Sequence, residues 1–410
     1  MERAASIDLK NWIARPQTQT VMDALERGGK SARFVGGCVR DALLGLNVKD
    51  VDIATPETPE RVIELIEEAD LRAIPTGIDH GTVTAICDGI PFEITTLRRD
   101  IETYGRRARV SFTEDWAEDA ARRDLTLNAL YCDRLGKVYD PIGGLEDLKA
   151  GRIRFVGDAR ARIEEDILRL LRFFRFFAFY GSAPADVEAL NACRDMAPQL
   201  NQLSVERVWK ELSRLLLAPD PTQAFSLMSS YGILAHILPE ANRSKDLHHL
   251  VQIESDLKVQ PSYLRRLASI VDLDANGANA LASRFKFSNA ERDEFSELCN
   301  PPDWPDPQAD RKRNRLALYR LKPELFIELV LLGATRSPAL DWPGLLSFPE
   351  DNALPAFSIT GQDVIDGGVP TGSDVGNILT QVENWWIESD FTADRDSCLA
   401  YLSELITARS

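Results

Sequence analysis

The sequence has little histidine and no paired cysteines. Four of its 410 residues are histidine, and its six cysteines are scattered without a C-x-x-C pair. A disulfide framework and a zinc site built from clustered cysteines are therefore not expected. A reducing environment is the default for such a chain, so we expect a cytoplasmic location.

Long hydrophobic runs are also absent. No stretch approaches the ~18 uninterrupted apolar residues of a membrane span. The N-terminus, Met1-Glu2-Arg3-Ala4, lacks the apolar run of a secretory signal. Apolar residues make up 44% and charged residues 27% of the chain, the balance of a folded globular protein. We expect about two to four domains and no membrane partner.

Positive charge is in deficit. The chain has 48 lysines and arginines against 64 aspartates and glutamates, a net charge of −16. This balance argues against strong non-specific binding to polyanions. It does not exclude RNA as a ligand, because a local basic stripe is what contacts phosphates.

The hydrophobic pattern changes at about residue 160. Before it, short β-rich runs alternate with helical stretches, and after it strand-like alternation is nearly absent. The predicted strands are 33–35, 51–54, 82–87, 92–96 and 130–133. The predicted helices are 59–69, 162–180, 205–217, 221–231, 263–271, 309–321 and 377–388. We predict an α/β head followed by a long all-helical body, with the proline-rich residues 300–307 as a linker.

Two aspartates separated by one residue are the most informative feature. In K-D-V-D-I (49–53), a strand directs Asp50 and Asp52 to one face and Val51 and Ile53 to the core. Two steps of ~3.3 Å each set these carboxylates about 6–7 Å apart, which allows convergence on one or two divalent cations. Mg²⁺ suits the pair because it shares its remaining positions with phosphate oxygens. The alternative is an exposed strand edge with two solvated aspartates.

A two-glycine turn precedes this pair. Gly36 and Gly37 follow a predicted strand and precede a helix that we expect to begin near Cys38. Glycines let the backbone approach a phosphate closely, and a helix start attracts anions. Arg40, in the first turn of that helix, is placed to pair with a phosphate or an aspartate. Glu93 is either a third carboxylate of this site or an ordinary residue on the polar face of its strand.

Eight motifs occur in the order seen in the class II tRNA nucleotidyltransferases, the CCA-adding enzymes. They are V-G-G-C-V-R-D (35–41), K-D-V-D-I (49–53), H-G-T-V (80–83), E-I-T-T-L-R (93–98), R-R-D-L-T-L-N-A (122–129), D-P-I-G-G-L-E-D-L (140–148), E-E-D-I-L-R (164–169) and S-V-E-R-V-W-K-E-L (204–212). The chain resembles this family densely over residues 30–215 and more weakly at 360–376. Bacterial poly(A) polymerases share the superfamily.

The resemblance implies an α/β head of the polymerase-β nucleotidyltransferase type followed by an all-α neck, body and tail. We place the catalytic head at residues 1–150, the base-recognising neck at 151–220, the body at 221–300, and the rest of the body with the tRNA-binding tail at 301–410. The implied reaction is attack of an RNA 3′-hydroxyl on the α-phosphate of CTP or ATP, with release of pyrophosphate. The implied cofactor is Mg²⁺ and the implied partner is tRNA, with no protein partner.

The resemblance also implies the site residues. Asp50 and Asp52 are the metal ligands, and with Glu93 they form the catalytic set. Nucleotide binding falls on Gly36, Gly37, Arg40, Arg123, Asp124, Asn128, Asp166, Arg169 and Arg172. Asp124 and Asn128 are expected at i, i+4 on one helix face, where they would meet the ribose and phosphates. The alternative there is an arginine–aspartate surface network.

Asp166 and Arg169 are expected at i, i+3 on a single helix. An aspartate only accepts hydrogen bonds and an arginine only donates them, so the pair matches the amino group and ring acceptors of both cytosine and adenine. The family uses these positions as a protein template for CTP and ATP. The family usually has proline where this chain has Ile167. The alternative is an intrahelical salt bridge, worth only ~0.2–0.5 kcal/mol.

Five phenylalanines follow on the same predicted helix, at positions 173, 174, 176, 177 and 179. They form either a stacking platform for bases or a buried neck core, and we favour the core because platforms use one or two exposed rings. Glu206, Arg207 and Glu211 are expected to brace this helix.

RNA contacts away from the active site have weaker signals. Four cations at a predicted helix start either contact RNA phosphates or form a solvated basic face. They are Arg311, Lys312, Arg313 and Arg315. Arg265 and Arg266 are a weaker candidate. Residues 98–118 are expected to form a flexible loop, and because the family keeps this loop complete for terminal A addition, we expect that activity.

Two other functions remain open from the sequence. Within the superfamily, the chain would be a poly(A) polymerase or an A-only-adding enzyme. In another class, it would be a non-catalytic RNA-binding protein on the same fold. The intact pair Asp50 and Asp52 argues against the second, because a binding module has no need of carboxylates poised for a metal.

Overall fold

The computed structural model describes residues 3–6, 12–104, 107–182 and 184–408, with the backbone alone at 3–6, 100–104 and 107–110. Met1 and Glu2 of the N-terminus, and Gly105 and Arg106 of the expected loop, lie outside the described residues. The chain divides into two compact units, Met1–Pro239 and Glu240–Ser410. The finer division into head, neck, body and tail stays a prediction.

A mixed eight-stranded sheet forms the centre of the first unit. Its strands are β1 Arg3–Ser6, β2 Arg33–Val35, β3 Val51–Thr55, β4 Arg72–Gly77, β5 Thr82–Cys87, β6 Ile90–Thr96, β9 Tyr131–Cys132 and β10 Lys137–Tyr139, in the spatial order β1-β10-β9-β2-β3-β6-β5-β4. The five predicted strands are confirmed as β2, β3, β5, β6 and β9. β3 and β6 run parallel, with Asp52 opposite Glu93. The neighbouring pairs β2–β3 and β5–β6 are antiparallel.

The segment expected to form a flexible loop contains a strand pair. β7 Arg98–Tyr104 and β8 Arg107–Phe112 form a two-stranded antiparallel sheet of their own. The sequence signal was weak because mixed charge hides the alternation on which strand prediction depends. The strand pair is therefore a feature that the sequence pattern did not predict, and the flexibility of the segment stays a prediction.

Helices cover the sheet and form the rest of the first unit. They are α1 Pro16–Glu26, α2 Gly37–Leu43, α3 Pro59–Glu67, α4 Trp116–Ala121, α5 Gly144–Ala150, α6 Ala159–Glu165, α7 Leu168–Tyr180, α8 Val187–Met196, α9 Val205–Leu216, α10 Thr222–Ser230 and α11 Leu234–Ile237. Helix α3 shows how local sequence determines where a helix begins. The Thr58 hydroxyl accepts the main-chain N–H of Arg61, and Pro59 occupies the first turn, where no donor is needed.

The predicted single helix over 162–180 is wrong, because it breaks at Asp166. This residue is extended, with φ −151° and ψ 107°, and separates α6 from α7. Its carboxylate accepts the main-chain N–H of Leu168, the first residue of α7, at 3.1 Å. Aspartate favours this arrangement because its short side chain competes with the helical backbone for hydrogen bonds.

The phenylalanines of α7 form a core, as favoured from the sequence. Phe173, Phe174, Phe176 and Phe177 are between 0% and 5% exposed. Burying each contributes about 1.5–3 kcal/mol, and the helix packs against α9 and α10. Phe179, in the last turn, is the exception at 36% exposure.

The described part of the second unit is helical. Its helices are α12 Ser244–Asp256, α13 Tyr263–Ile270, α14 Ala275–Phe285, α15 Asn289–Cys299, α16 Arg311–Arg336, α17 Phe348–Asp351, α18 Gly361–Asp366, α19 Ser373–Glu388 and α20 Arg395–Thr407. Residues 300–307 are non-helical as predicted, but they lie inside this compact unit. Asp303 is buried there between Arg313 and Arg320, so the linker interpretation is wrong. None of the described helices has the length and apolar character that crossing a bilayer requires.

A buried charge network stabilises the second unit. Arg265 and Arg266 are 1% and 2% exposed, and both donate to the carboxylate of Glu254, which is 3% exposed. Arg265 also donates to Glu328 at 2.6 Å. The candidate RNA contact at Arg265 and Arg266 is therefore wrong, since neither guanidinium reaches solvent. Charges are buried only when they are paired, as these are.

Candidate active site

Three carboxylates gather on neighbouring strands of the head. Asp50 immediately precedes β3, Asp52 lies within it, and Glu93 is the partner of Asp52 on β6. Val51 and Ile53 are buried at 8% and 0% exposure, so the predicted alternation along the strand is confirmed. Burial, together with the negative charges of Glu93 and Asp50, raises the pKa of Asp52 to about 6, against the opposing effect of the Arg123 guanidinium.

This crowding fits a divalent cation. Burial and the neighbouring carboxylates both disfavour the ionised form of Asp52, and a bound cation would stabilise that form. The donors are carboxylate oxygens, which hard cations prefer. Among the described residues, no group of three or more His, Cys, Asp and Glu side chains is arranged to hold a metal by itself. Asp50 and Asp52 by themselves match the one or two carboxylates that Mg²⁺ usually takes, its other positions being left to water and substrate phosphates.

The glycine turn lies against three of the other predicted site residues. Gly36 has φ +72° and ψ −122°, a conformation that favours glycine, and α2 begins at Gly37 as expected. A Cβ on Gly36 would lie 3.6 Å from the main-chain oxygen of Asn128 and 3.8 Å from Nη1 of Arg123. A Cβ on Gly37 would lie 3.7 Å from Nη2 of Arg40. Of these residues, Gly37 and Arg40 line a cleft that also includes Asp50 and Asp52.

Arg40 is 6% exposed and is held from several sides. Its Nη1 donates to Oδ1 of Asn128 at 2.7 Å, and its Nε donates to Asp41 at 2.9 Å. Its guanidinium also lies 4.2 Å from the ring centroid of Tyr180. These contacts fix the side chain before any ligand arrives, which is what a phosphate-binding arginine requires.

A polar chain continues from Asn128 into the neck. The amide of Asn128 donates to Asp124 at 3.1 Å, and Arg172 donates to the other oxygen of Asp124 at 2.7 Å. Burial opposes ionisation of Asp124, but Arg172 and Asn128 outweigh it and lower its pKa to about 2. The predicted α-helix here is wrong, because residues 126–128 form a 3₁₀ turn. The two side chains nevertheless meet.

Arg123 is fixed by a second buried group. It donates to Asp119 at 2.9 Å and to the Tyr131 hydroxyl at 3.3 Å, and that hydroxyl donates to Asp119 at 2.7 Å. Burial lowers the pKa of Arg123, but Tyr131 and Asp119 outweigh it and raise the value above the ordinary one. Arg123 stays a cation, and its charge acts on Asp52.

Asp166 and Arg169 do not pair with each other. One nitrogen of Arg207, Nη2, donates to both oxygens of Asp166 at 2.8 and 3.1 Å. Arg169 instead donates to Glu165 and to the main-chain oxygen of Arg122. The intrahelical salt bridge considered as an alternative is therefore wrong. Each member of the proposed template is held by its own partner.

The expected bracing of α7 is confirmed for two of three residues. Arg207 holds Asp166, and Glu211, 4% exposed, accepts from Arg175 of α7 at 2.6 Å. Both braces come from α9, which packs along α7. Sequence spacing alone could not pair Asp166 with Arg207, because 41 residues separate them.

A cleft of about 550 Å³ adjoins the carboxylates. Its polar lining includes Gly37, Arg40, Asp50 and Asp52. Its apolar lining includes Leu46, Phe179, Tyr180 and Pro219. Sequence reasoning missed this apolar wall, because nothing in the local pattern brings residue 46 together with residues 179 and 219. The one available signal was the fifth phenylalanine of α7, because the other four already fill the buried side of that helix.

Each of the four cations proposed for RNA contact has a partner within the second unit. The pairs are Arg311 with Asn352, Lys312 with the main-chain oxygen of Glu388, Arg313 with Asp303, and Arg315 with Asp390. Two of these partners are carboxylates, which reduce the local positive potential. RNA binding by this cluster stays a prediction.

Comparison with known proteins bears on the family. Residues 32–154 match the family described as Poly A polymerase head domain, and residues 186–245 match the probable RNA and SrmB-binding site of polymerase A. The mitochondrial CCA tRNA nucleotidyltransferase 1 of Homo sapiens is 33% identical over 385 residues, 91% of this chain and 86% of the relative. The CCA-adding enzyme of Streptococcus pneumoniae is 30% identical over 390 residues, 94% and 96% of the two chains.

The chain belongs to the CCA-adding tRNA nucleotidyltransferase family. Solved structures agree. The Bacillus stearothermophilus CCA-adding enzyme in complex with CTP is 27% identical, with a TM-score of 0.76 over 96% of this chain and 99% of that one. The Thermotoga maritima CCA-adding enzyme complexed with tRNA is 18% identical with a TM-score of 0.66, covers 99% of this chain and 100% of that one, and shares the fold. The family resemblance and the predicted fold class are thus confirmed for this CCA-adding family member.

Proposed function

We propose that this protein adds or repairs the 3′-terminal CCA of tRNA, transferring CMP and AMP from CTP and ATP to the RNA 3′-hydroxyl and releasing pyrophosphate. The observation that carries the proposal is the gathering of Asp50, Asp52 and Glu93 beside fixed cations, in a chain about one-third identical to CCA-adding enzymes along nearly its whole length. Such a gathering has no purpose in a passive RNA-binding protein.

Asp50 and Asp52 would hold the divalent cation, which we propose to be Mg²⁺. When bound, it would supply a Lewis-acid centre for the hydroxyl and phosphate oxygens. The closeness of Asp50, Asp52 and Glu93 supports this assignment, because burial and the repulsion among these carboxylates disfavour ionised Asp52 and a cation would offset both effects. Glu93 would add to the negative field that favours the ion.

The remaining residues would position the triphosphate nucleotide. Gly36, Gly37 and Arg40 would receive the phosphates, and Arg123 would add a second cation close by. Their fixed geometry needs little reorganisation as charge develops on the transferring group. Charge-assisted hydrogen bonds of this type are about twice as strong as neutral ones.

The nucleoside would lie toward the neck. Asp124 and Asn128 are suited to the ribose, since either can bond a 2′-hydroxyl, and Arg172 holds Asp124 ionised for that purpose. Asp166 and Arg169 would read the base. Their separate partners, Arg207 and Glu165, leave each side chain oriented by the protein rather than by the other.

Three RNA substrates test the proposal. Purified protein, Mg²⁺ and each NTP in turn are supplied with tRNA ending before CCA, tRNA ending in CC, and an unrelated RNA. We expect C then A addition to the first, and a single A on the second. Long A tails on any RNA would indicate a poly(A) polymerase, addition of A alone an A-only enzyme, and no incorporation a binding protein.

Two variants test the site within the same assay. Asp52→Ala should abolish incorporation while nucleotide binding, measured by equilibrium dialysis, is largely kept. Glu64→Ala removes an exposed carboxylate from α3 of the same unit and should leave incorporation unchanged. Near-normal turnover by Asp52→Ala would refute the metal assignment. We propose a cytoplasmic location, although the mammalian relatives are named as mitochondrial proteins.

A further inference from the structure

One aromatic ring of α7 is exposed where its four neighbours are buried. Phe179 is 36% exposed, whereas Phe173 and Phe174 are 0% exposed. Phe179 therefore leaves part of its ring outside the neck core and accessible to a ligand. It lines the same cleft as Asp50 and Asp52.

The wall around Phe179 is largely apolar, and Tyr180 within it is fixed by two contacts. The next residue, Tyr180, has its ring centroid 5.9 Å from that of Phe179. Tyr180 is held by a hydrogen bond from its hydroxyl to Asp41 at 3.1 Å and by the guanidinium of Arg40 over its ring. Leu46, 51% exposed, also lines the cleft. The wall therefore presents apolar surface to whatever enters beside the carboxylates.

Under the proposed function, two bases must be accommodated. The incoming base is assigned to Asp166 and Arg169, which offer hydrogen bonds. The other base belongs to the last nucleotide of the acceptor, whose 3′-hydroxyl must reach Asp50 and Asp52. That base changes as the end grows, from the nucleotide preceding CCA to the first C and then the second. A contact surface for it must tolerate every base, and an aromatic face does so.

We propose that Phe179 is the platform on which the 3′-terminal base of the acceptor RNA stacks, with Tyr180 and Leu46 completing the apolar wall. Phe179 is thus a positioning residue, because it holds the nucleotide whose hydroxyl reacts and touches no reacting atom. The inference rests on the proposed function and adds a subsite to it.

Binding of a non-extendable RNA tests the platform. The probe is tRNA ending in a 3′-deoxy-2-aminopurine nucleotide, whose fluorescence is quenched by stacking. Phe179→Ala should weaken binding by about 5- to 100-fold and relieve the quenching, whereas Phe179→Trp should retain both. KM for CTP and ATP, measured with extendable tRNA, should stay unchanged in Phe179→Ala. Leu135→Ala, which truncates a 75% exposed side chain away from the cleft, is the matched control and should bind like the wild type.

A double-mutant cycle separates stacking from a general structural effect. The second change is in the RNA, where the terminal nucleotide is made abasic. If ring and base contact each other, removing both should weaken binding no more than removing either one. Additive losses would overturn the platform, and so would a Phe179→Ala variant that raises KM for the nucleotides and leaves RNA binding unchanged.

The two proposals can fail separately. A wild-type protein that incorporates no nucleotide contradicts the proposed function. A wild-type protein that adds CCA, with a Phe179→Ala variant that binds the probe equally well and quenches it equally, contradicts the platform alone. A melting temperature for Phe179→Ala close to the wild-type value confirms that the variant is folded, as its exposure leads us to expect.

Discussion

Removing the guanidinium of Arg207 should reduce the selectivity for CTP and ATP. The effect should be indirect, because Arg207 acts through Asp166 and not on the nucleotide. In the structure, Nη2 of Arg207 holds both oxygens of Asp166, and the other contact to that carboxylate comes from the main-chain N–H of Leu168. Asp166 follows the end of α6 in extended backbone, so the helix itself does not orient the side chain. Arg207→Ala would leave the carboxylate held by the Leu168 N–H alone, with its second oxygen no longer oriented by Arg207.

The expected size of the effect follows from the hydrogen bonds that Arg207 donates to Asp166. A hydrogen bond to a charged group contributes about 1.5–3 kcal/mol. If this orienting energy no longer supports recognition of the correct base, preference for CTP and ATP over UTP and GTP should fall by about 10- to 150-fold in kcat/KM. Both side chains of the pair are 26% exposed, so its contribution to stability should be smaller, about 1 kcal/mol, or a few degrees in Tm.

The assay is single-nucleotide incorporation into tRNA ending in C, with all four NTPs tested separately. Lys210→Ala is the matched control, because it removes a cation from an exposed position of the same helix, α9. Arg207→Lys should recover part of the selectivity, since an ammonium keeps the charge but not the planar donor group. An Arg207→Ala variant that is folded and keeps the wild-type order and spread of kcat/KM values would refute the reasoning.

Three further predictions follow from other interactions in the structure. Glu254→Gln should destabilise the second unit by about 3–5 kcal/mol, because two buried arginines lose their shared carboxylate; urea unfolding followed by circular dichroism measures this, and a loss under 1 kcal/mol would contradict it. Gly36→Ala should raise KM for CTP and ATP and cost about 1–3 kcal/mol of stability, because φ +72° strains a side-chain-bearing residue; unchanged kinetics and Tm would refute the role of the turn. The folded-state pKa of Asp124, about 2, lies below its ordinary value of 3.8, so its ion pair stabilises the fold above about pH 4 and is lost as pH falls toward 2. Tm measured from pH 6 to pH 3 should therefore fall less steeply in Asp124→Asn than in the wild type, and equal slopes would contradict this.

Short-range sequence patterns were sufficient to identify the family, to predict the fold class and to predict which residues of the catalytic strand are buried. Alternation placed Val51 and Ile53 in the interior and Asp50 and Asp52 on the other face, because the side-chain period of a strand depends only on its backbone. Phenylalanine density on one helix correctly indicated a buried neck. These features are local, so the identity and spacing of neighbouring residues contain the required information.

The partners of the charged side chains could not be predicted from local patterns, because long-range packing determines which charges meet. Arg265 and Arg266 look like surface cations in the sequence, yet they lie buried around Glu254. Asp166 and Arg169, three positions apart, take different partners because the chain breaks between α6 and α7. The energy of an ion pair depends on the distance between its groups and on their desolvation, and both are set only when distant segments pack together.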